Sequence, residues 1–99
     1  MTMHAITHMH AGEGKDEALA ALLTEGCNRM RAADGCESFV VVRDRGDRRA
    51  FALIQRWQSS AAHDTAFEAE IAKTGHIEKV QAAVDQPLDH HWYQVLAGG

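Results

Sequence analysis

Three histidines in the segment MHAITHMH are the first residues whose spacing could do chemistry. His4, His8 and His10 fall at even positions of a segment with strand character, so all three would point to one face. His8 and His10 would lie about 7 Å apart, close enough to share a metal ion. His90, near the other end of the chain, could complete a three-nitrogen site if it pairs opposite His10. The alternative is that His4 and His8 line a pocket or face a dimer partner, with His10 at the exposed end of the strand.

The composition is that of an ordinary globular chain, which limits the possible functions. Its 99 residues predict a single domain over residues 1–99. Fourteen acidic residues against ten basic ones give a net charge of -4, which argues against a nucleic-acid partner. No apolar run approaches the ~20 residues that span a membrane, and the first residues lack a signal-peptide core. The two cysteines match no metal or redox motif, so we expect a cytoplasmic protein without a membrane partner.

Hydrophobic periodicity predicts the element order β-α-β-β-α-β. Strands are predicted over residues 3–10, 37–44, 49–57 and 88–96. One helix is predicted over 14–33, and a second begins at Ser59 or Ser60, breaks near Gly75 and ends by about Val84. This order is typical of the split βαβ, or ferredoxin-like, fold of the α+β class: a four-stranded antiparallel sheet, ordered 4-1-3-2, with helices on one face.

Strands 2 and 3 are apolar on both faces, which bears on assembly. Phe51 and Leu53 alternate with Ala52 and Ile54, and strand 2 contains the run FVVV. A sheet with water on one face would alternate apolar with polar residues. We therefore expect a second copy of the chain to cover the helix-free face, forming a homodimer.

Several segments resemble the antibiotic biosynthesis monooxygenase (ABM) domain, a family of small dimeric α+β barrels. The matching features are Gly35-Cys36 before strand 2, Phe51, Leu53 and Trp57 in strand 3, the small residues that open the next helix, and His63 within it. The first helix, which opens as AGEGKDEALAALL, fits as well. The resemblance covers nearly the whole chain.

The resemblance implies a monooxygenase that needs no metal, flavin or haem, so no cofactor is expected. Members of the family oxidise electron-rich phenols, quinols or anthrones with O₂ in a pocket between the sheet and the helices. Once deprotonated, such a substrate can pass an electron to O₂ unaided. The protein then has only to bind the aromatic ring, remove a proton and exclude water.

Candidate site residues follow from the resemblance and from the strand pattern. Trp57 would line the ring site, while His63 or His8 would remove the proton, because an imidazole with an ordinary pKa of about 6.5 suits that role. Gln55, on the Trp57 face of strand 3, could donate to a substrate oxygen. The remaining pocket candidates are Phe67, Ile71, His76 and His4.

The sequence also departs from the best-known members of the family. Leu53 stands four residues before Trp57, where polyketide-tailoring members have Asn, and His63 stands where they have Tyr. Haem-degrading relatives use an Asn and a Trp that are absent here, although His76 falls near their haem-ligating His. Three alternatives therefore stay open: a non-catalytic dimeric α+β barrel that binds a small hydrophobic ligand, a haem-binding or haem-degrading relative, and a metal site at His8, His10 and His90.

Overall fold

A four-stranded antiparallel sheet carries three helices on one face in the computed structural model, which describes residues 2–98. The strands are β1 (Met3–His10), β2 (Cys36–Arg43), β3 (Ala50–Trp57) and β4 (Asp89–Tyr93), and the helices are α1 (Asp16–Met30), α2 (Ser60–Phe67) and α3 (His76–Ala83). A π-helical turn, Glu68–Ala72, joins α2 to the segment before α3. The strand order β2-β3-β1-β4 confirms the predicted ferredoxin-like fold. Within residues 2–98, no helix is long and apolar enough to cross a membrane.

The local sequence accounts for the limits of the helices. The Ser59 hydroxyl accepts the Ala62 N–H at 3.1 Å, which caps the first turn of α2. Gly75 adopts a φ of 78°, a conformation that favours glycine and that separates the π-helical turn from α3. Helix α1 ends at Met30, earlier than predicted, because the chain must turn through residues 31–35 before it enters β2.

The register of β1 divides its side chains between the two faces of the sheet. Ala5, Thr7 and Met9 are buried against the helices. The alternating positions, His4, Ile6, His8 and His10, therefore point to the helix-free face. On β4, Thr7 pairs with His90, so His90 points to the helices and His91 points away from them.

The helix-free face carries large apolar side chains that remain accessible. Val40, Val42, Ile54 and Tyr93 are between 39% and 46% exposed. Val40 and Ile54 are cross-strand partners, so the apolar surface is continuous across β2 and β3. Both faces of these strands are thus apolar, as the sequence predicted.

The helix-covered core consists of two apolar clusters. One cluster includes Leu19, Leu23, Phe51 and Val80, and the other consists of Met30, Trp57, Ala66 and Ile71. Helix α1 contributes to both, because its buried residues recur at helical spacing along one stripe. Members of both clusters line the cavity described next.

Candidate active site

A cavity of about 370 Å³ lies between the sheet and the helices. Its size falls near the lower end of the roughly 300–1,000 Å³ that is typical of small-molecule sites. Most of its lining is apolar, and it includes Met9, Met30, Phe39 and Leu53. The polar lining groups are Thr7, Cys27, Gln55, His63, Asp64, His76 and His90. Apolar walls with a few polar groups are what a site for a small aromatic molecule requires.

His63, in the first turn of α2, is 9% exposed and is surrounded by aromatic rings. Its ring meets Trp57 and Trp92 edge-on, at centroid distances of 5.4 and 5.1 Å. It stacks between Phe67 and His90, at 6.0 and 5.5 Å. These contacts hold the imidazole in a single orientation at the cavity wall.

The hydrogen bonds of His63 determine which of its nitrogens is available. Nδ1 lies 3.0 Å from Oδ1 of Asp64, and because a carboxylate can only accept, Nδ1 donates. The neutral ring therefore carries its lone pair on Nε2. Within the described residues, Nε2 has no hydrogen-bond partner and keeps some accessible surface, and the His63 side chain lines the cavity. His63 thus presents a proton acceptor to a bound molecule.

Gln55 is oriented by its neighbour Trp57. The indole N–H of Trp57 donates to Oε1 of Gln55 at 2.8 Å, and an indole nitrogen can only donate. This bond fixes which end of the amide is oxygen, so the NH₂ group of Gln55 is left for the cavity that the side chain lines. Trp57 itself is fully buried and does not reach the cavity wall. The structure therefore places Trp57 behind Gln55 and His63 rather than in contact with a ligand.

His90 is a cavity residue that the sequence interpretation assigned elsewhere. Its Nδ1 lies 2.6 Å from the Thr7 hydroxyl on the adjacent strand. Partial burial, followed by the neighbouring charges of His63 and His91, lowers the pKa of His90 from its ordinary value. The sequence alone suggested His90 only as a possible metal ligand. The strand pairing of His90 with Thr7 could have located it, because this pairing shows that the His90 side chain points to the helix-covered face of the sheet.

His76 lines the cavity from α3 but is held by α1. Its Nε2 donates to the Leu22 carbonyl oxygen at 2.8 Å, and its Nδ1 lies 3.6 Å from a carboxylate oxygen of Glu25. The ring comes so close to α1 that a Cβ at Gly26 would lie 3.2 Å from Nε2. His76 therefore joins the two helices beneath the cavity.

Phe67 and Ile71 lie in the cavity wall, where the sequence interpretation placed them. The π-helical turn brings Ile71 into position, and its wider hydrogen bond runs from the Lys73 N–H to the Glu68 carbonyl oxygen at 3.0 Å. Arg29 of α1 donates to the Glu70 carbonyl oxygen at 3.1 Å. Such turns are frequent at functional sites.

The predicted positions of His4 and His8 in the pocket are wrong. His4 pairs with Arg56 and His8 with Ala52, and both point to the helix-free face because Ala5 and its alternating neighbours occupy the cavity face. His8 therefore cannot act as a base in this cavity.

The metal alternative is wrong for the same reason. His90 points to the helices, whereas His8 and His10 point away, so the sheet separates them. Both nitrogens of His10 are bonded to carboxylates, those of Asp85 and Asp47, at 2.9 and 3.0 Å. No group of three His, Cys, Asp or Glu side chains in the part of the chain that the structure describes could hold a metal ion.

The fold and the cavity define a class of protein: small α+β domains with a mostly apolar cavity between sheet and helices. Residues 2–86 match the family model for antibiotic biosynthesis monooxygenase. The chain belongs to this family. None of the curated proteins matches it significantly.

Solved structures with the same fold extend this result. Rv0793 from Mycobacterium tuberculosis is 20% identical, with a TM-score of 0.86 over 99% of this chain and 98% of that one. PA3566 from Pseudomonas aeruginosa is 25% identical, with a TM-score of 0.85 over 97% and 95%. SnoaB, a cofactor-independent oxygenase from Streptomyces nogalater, is 12% identical, with a TM-score of 0.81 over 98% and 95%.

Proposed function

We propose that the protein is a cofactor-independent monooxygenase that oxidises a small electron-rich aromatic, a phenol, quinol or anthrone, with O₂. One observation carries the proposal: His63, with its Nε2 unbonded, and Gln55, with its NH₂ group unbonded, both line a mostly apolar cavity. Membership of the antibiotic biosynthesis monooxygenase family supports it. SnoaB, which shares the fold, is itself a cofactor-independent oxygenase.

We assign a role to each group on the basis of these contacts. His63 takes the phenolic proton at Nε2, and the Asp64 carboxylate at Nδ1 stabilises the imidazolium that forms. The Gln55 amide donates to the substrate oxygen as negative charge develops there. Trp57 maintains the orientation of that amide. The apolar walls bury the ring and exclude water, so that the electron-rich anion reacts with O₂ rather than with a solvent proton.

Oxygen uptake tests this proposal directly. Chelator-treated protein would be offered a panel of phenols, quinols and anthrones in an oxygen electrode. We expect saturable uptake by the wild type, with kcat reduced about 10²–10⁴-fold in His63→Gln through loss of the base. Gln55→Leu should reduce kcat by about 10²–10³-fold through loss of the donor. His91→Gln is the matched control, because its imidazole lies on the other face of β4. Absence of saturable uptake, or uptake that requires added metal, would refute the proposal.

We further propose that the protein acts as a homodimer in the cytoplasm. The continuous apolar surface around Val40 and Ile54 is what a second copy would cover. Both cysteines, Cys27 and Cys36, are unbridged, which fits a reducing compartment.

A charge placed on the helix-free face tests the dimer. Ile54→Lys should convert a species of two chains into a monomer in light scattering, because a buried unpaired charge opposes association. Gln81→Lys, on the exposed surface of α3, should leave the mass unchanged. A monomeric wild type at micromolar concentration would contradict the dimer, and so would an Ile54→Lys variant that remains dimeric.

A further inference from the structure

The cavity holds a second imidazole beside the proposed base. The rings of His63 and His90 stack at a centroid distance of 5.5 Å with an angle of 23° between their planes. They come from different elements, α2 and β4, and each is anchored through Nδ1, to Asp64 and to Thr7 respectively. When Nδ1 of His90 donates to the Thr7 hydroxyl, the lone pair is on Nε2. No described residue bonds that nitrogen.

The surroundings oppose simultaneous protonation of the two rings. The Asp64 carboxylate accepts the Nδ1 proton of His63, so Nε2 is the nitrogen that takes or gives a proton. A positive charge on His63 lowers the pKa of the stacked His90 ring further, and burial lowers that pKa already. The other charged groups that act on His90 are His91, which also lowers its pKa, and Asp64, which raises it. The arrangement therefore disfavours two charged imidazoles at the same time, so one ring can act as an acid while the other acts as a base.

The proposed oxidation needs such a pair. Conversion of a phenol to a quinone by O₂, with release of water, removes two protons from opposite ends of the ring: one from the hydroxyl oxygen and one from the carbon that becomes the new carbonyl. A base that still holds the hydroxyl proton cannot also take the proton from the carbon, so a second base is needed. The second deprotonation also breaks an O–O bond, so an acid must protonate the departing oxygen in the same step.

We propose, on the basis of the proposed function, that His90 is the second catalytic base of this site and that His63 is the matching acid. His63 takes the hydroxyl proton, the phenolate gives an electron to O₂, and recombination at the para carbon forms a C–O bond and a peroxide anion. His90 then removes the proton from that carbon; the C–H electron pair forms the C=O bond and the O–O bond breaks. His63 returns its proton to the departing oxygen, and His90 supplies the second proton, giving water and two neutral imidazoles.

The other titratable groups of the cavity do not fit this role. His76 donates to the Leu22 carbonyl oxygen and faces Glu25. The Cys27 thiol donates to the Phe39 carbonyl oxygen at 3.4 Å, and burial raises its pKa, which disfavours the thiolate. Of the cavity-lining groups, His90 is the imidazole that stacks on His63 and has an unbonded nitrogen.

Single-turnover kinetics test the assignment. The substrate is the panel compound with the fastest oxygen uptake, deuterated at the carbon that becomes the carbonyl. In His90→Gln, we expect the peroxide intermediate to form at the wild-type rate and to decay about 10²-fold or more slowly, with an increased deuterium isotope effect. Thr7→Val, which releases the ring of His90, should slow the same step, and His91→Gln should behave as the wild type. Unchanged decay and an unchanged isotope effect in His90→Gln would overturn the assignment.

A measurement without substrate separates this inference from the proposed function. NMR titration of the imidazoles should show that His63→Gln raises the titration midpoint of His90, because a neighbouring positive charge is lost, and raises it more than His91→Gln does. An unchanged midpoint would show that the two rings are not coupled and would refute the pair even in an active oxygenase. Coupled titration without any oxygen uptake would instead refute the proposed function, and the catalytic assignment with it.

Discussion

The hydrogen bond between Trp57 and Gln55 lies inside the core, so the effect of removing it can be worked out. Trp57→Phe leaves Oε1 of Gln55 buried without its donor, which costs about 1–3 kcal/mol. The lost ring atoms add roughly 1 kcal/mol of apolar contact. We therefore expect a loss of about 2–4 kcal/mol, a large share of the ~5–15 kcal/mol that stabilises a domain.

A double-mutant cycle isolates the bond itself. Gln55→Leu alone leaves the Trp57 N–H unpaired and should also cost about 1–3 kcal/mol. The double variant removes both polar partners, so it should be less destabilised than the sum of the single variants by about 1–3 kcal/mol. Phe51→Leu serves as the control with Trp57→Phe, because it lies at the far end of β3 in the other cluster.

Urea unfolding followed by far-ultraviolet circular dichroism supplies the four free energies of each cycle. The control cycle should be additive within about 0.5 kcal/mol. If the Trp57 and Gln55 cycle is equally additive, the indole does not hold the amide. The orientation of the Gln55 NH₂ toward the cavity would then lose its physical basis.

Two further predictions concern a close helix contact and a histidine held by two carboxylates. In a helix, replacing Gly by Ala usually raises the free energy of unfolding by about 1 kcal/mol. Gly26→Ala should lack this gain, because the new Cβ would lie 3.2 Å from Nε2 of His76. Urea unfolding that shows the full gain would contradict the contact. His10 donates hydrogen bonds to the carboxylates of Asp85 and Asp47, which raise its pKa above the ordinary 6.5, with Asp85 the larger cause. The contribution of His10 to stability is therefore complete below pH 6.5 and is lost as the pH rises through the raised pKa. His10→Gln should remove this decline, and a pH series of unfolding curves in which the decline persists would disprove it.

The fold could be predicted because its signals are local. Alternating and helical periodicities, the Ser59 cap and the break at Gly75 each specify an element from a few neighbouring residues. The same is true of one wall of the site. His63 follows its helix cap by four residues, and Phe67 lies one helical turn further on, so their shared face is set by α2 alone.

The faces of β1 could not be predicted, because that strand lies inside the sheet and its sequence has no clear polar side. Ala5 and Thr7 are as small or as polar as many surface residues, while His4 and His8 are typical of neither face. A slip of one residue exchanges the two faces, and only the pairing with β3 and β4 decides between them. The error over His8 is therefore an error of register, which is a long-range property.

The same property explains how the second histidine reaches the cavity. His90 and His91 are adjacent, so a slip of one residue between β1 and β4 would replace one by the other beside His63. Trp92 opposes such a slip, because its ring packs edge-on against both His63 and His90, at 5.1 and 5.6 Å. An aromatic side chain on β4 thus sets the register on which the acid–base pair depends. Trp92→Ala should consequently weaken the coupling between the two imidazole titrations, without removing either ring.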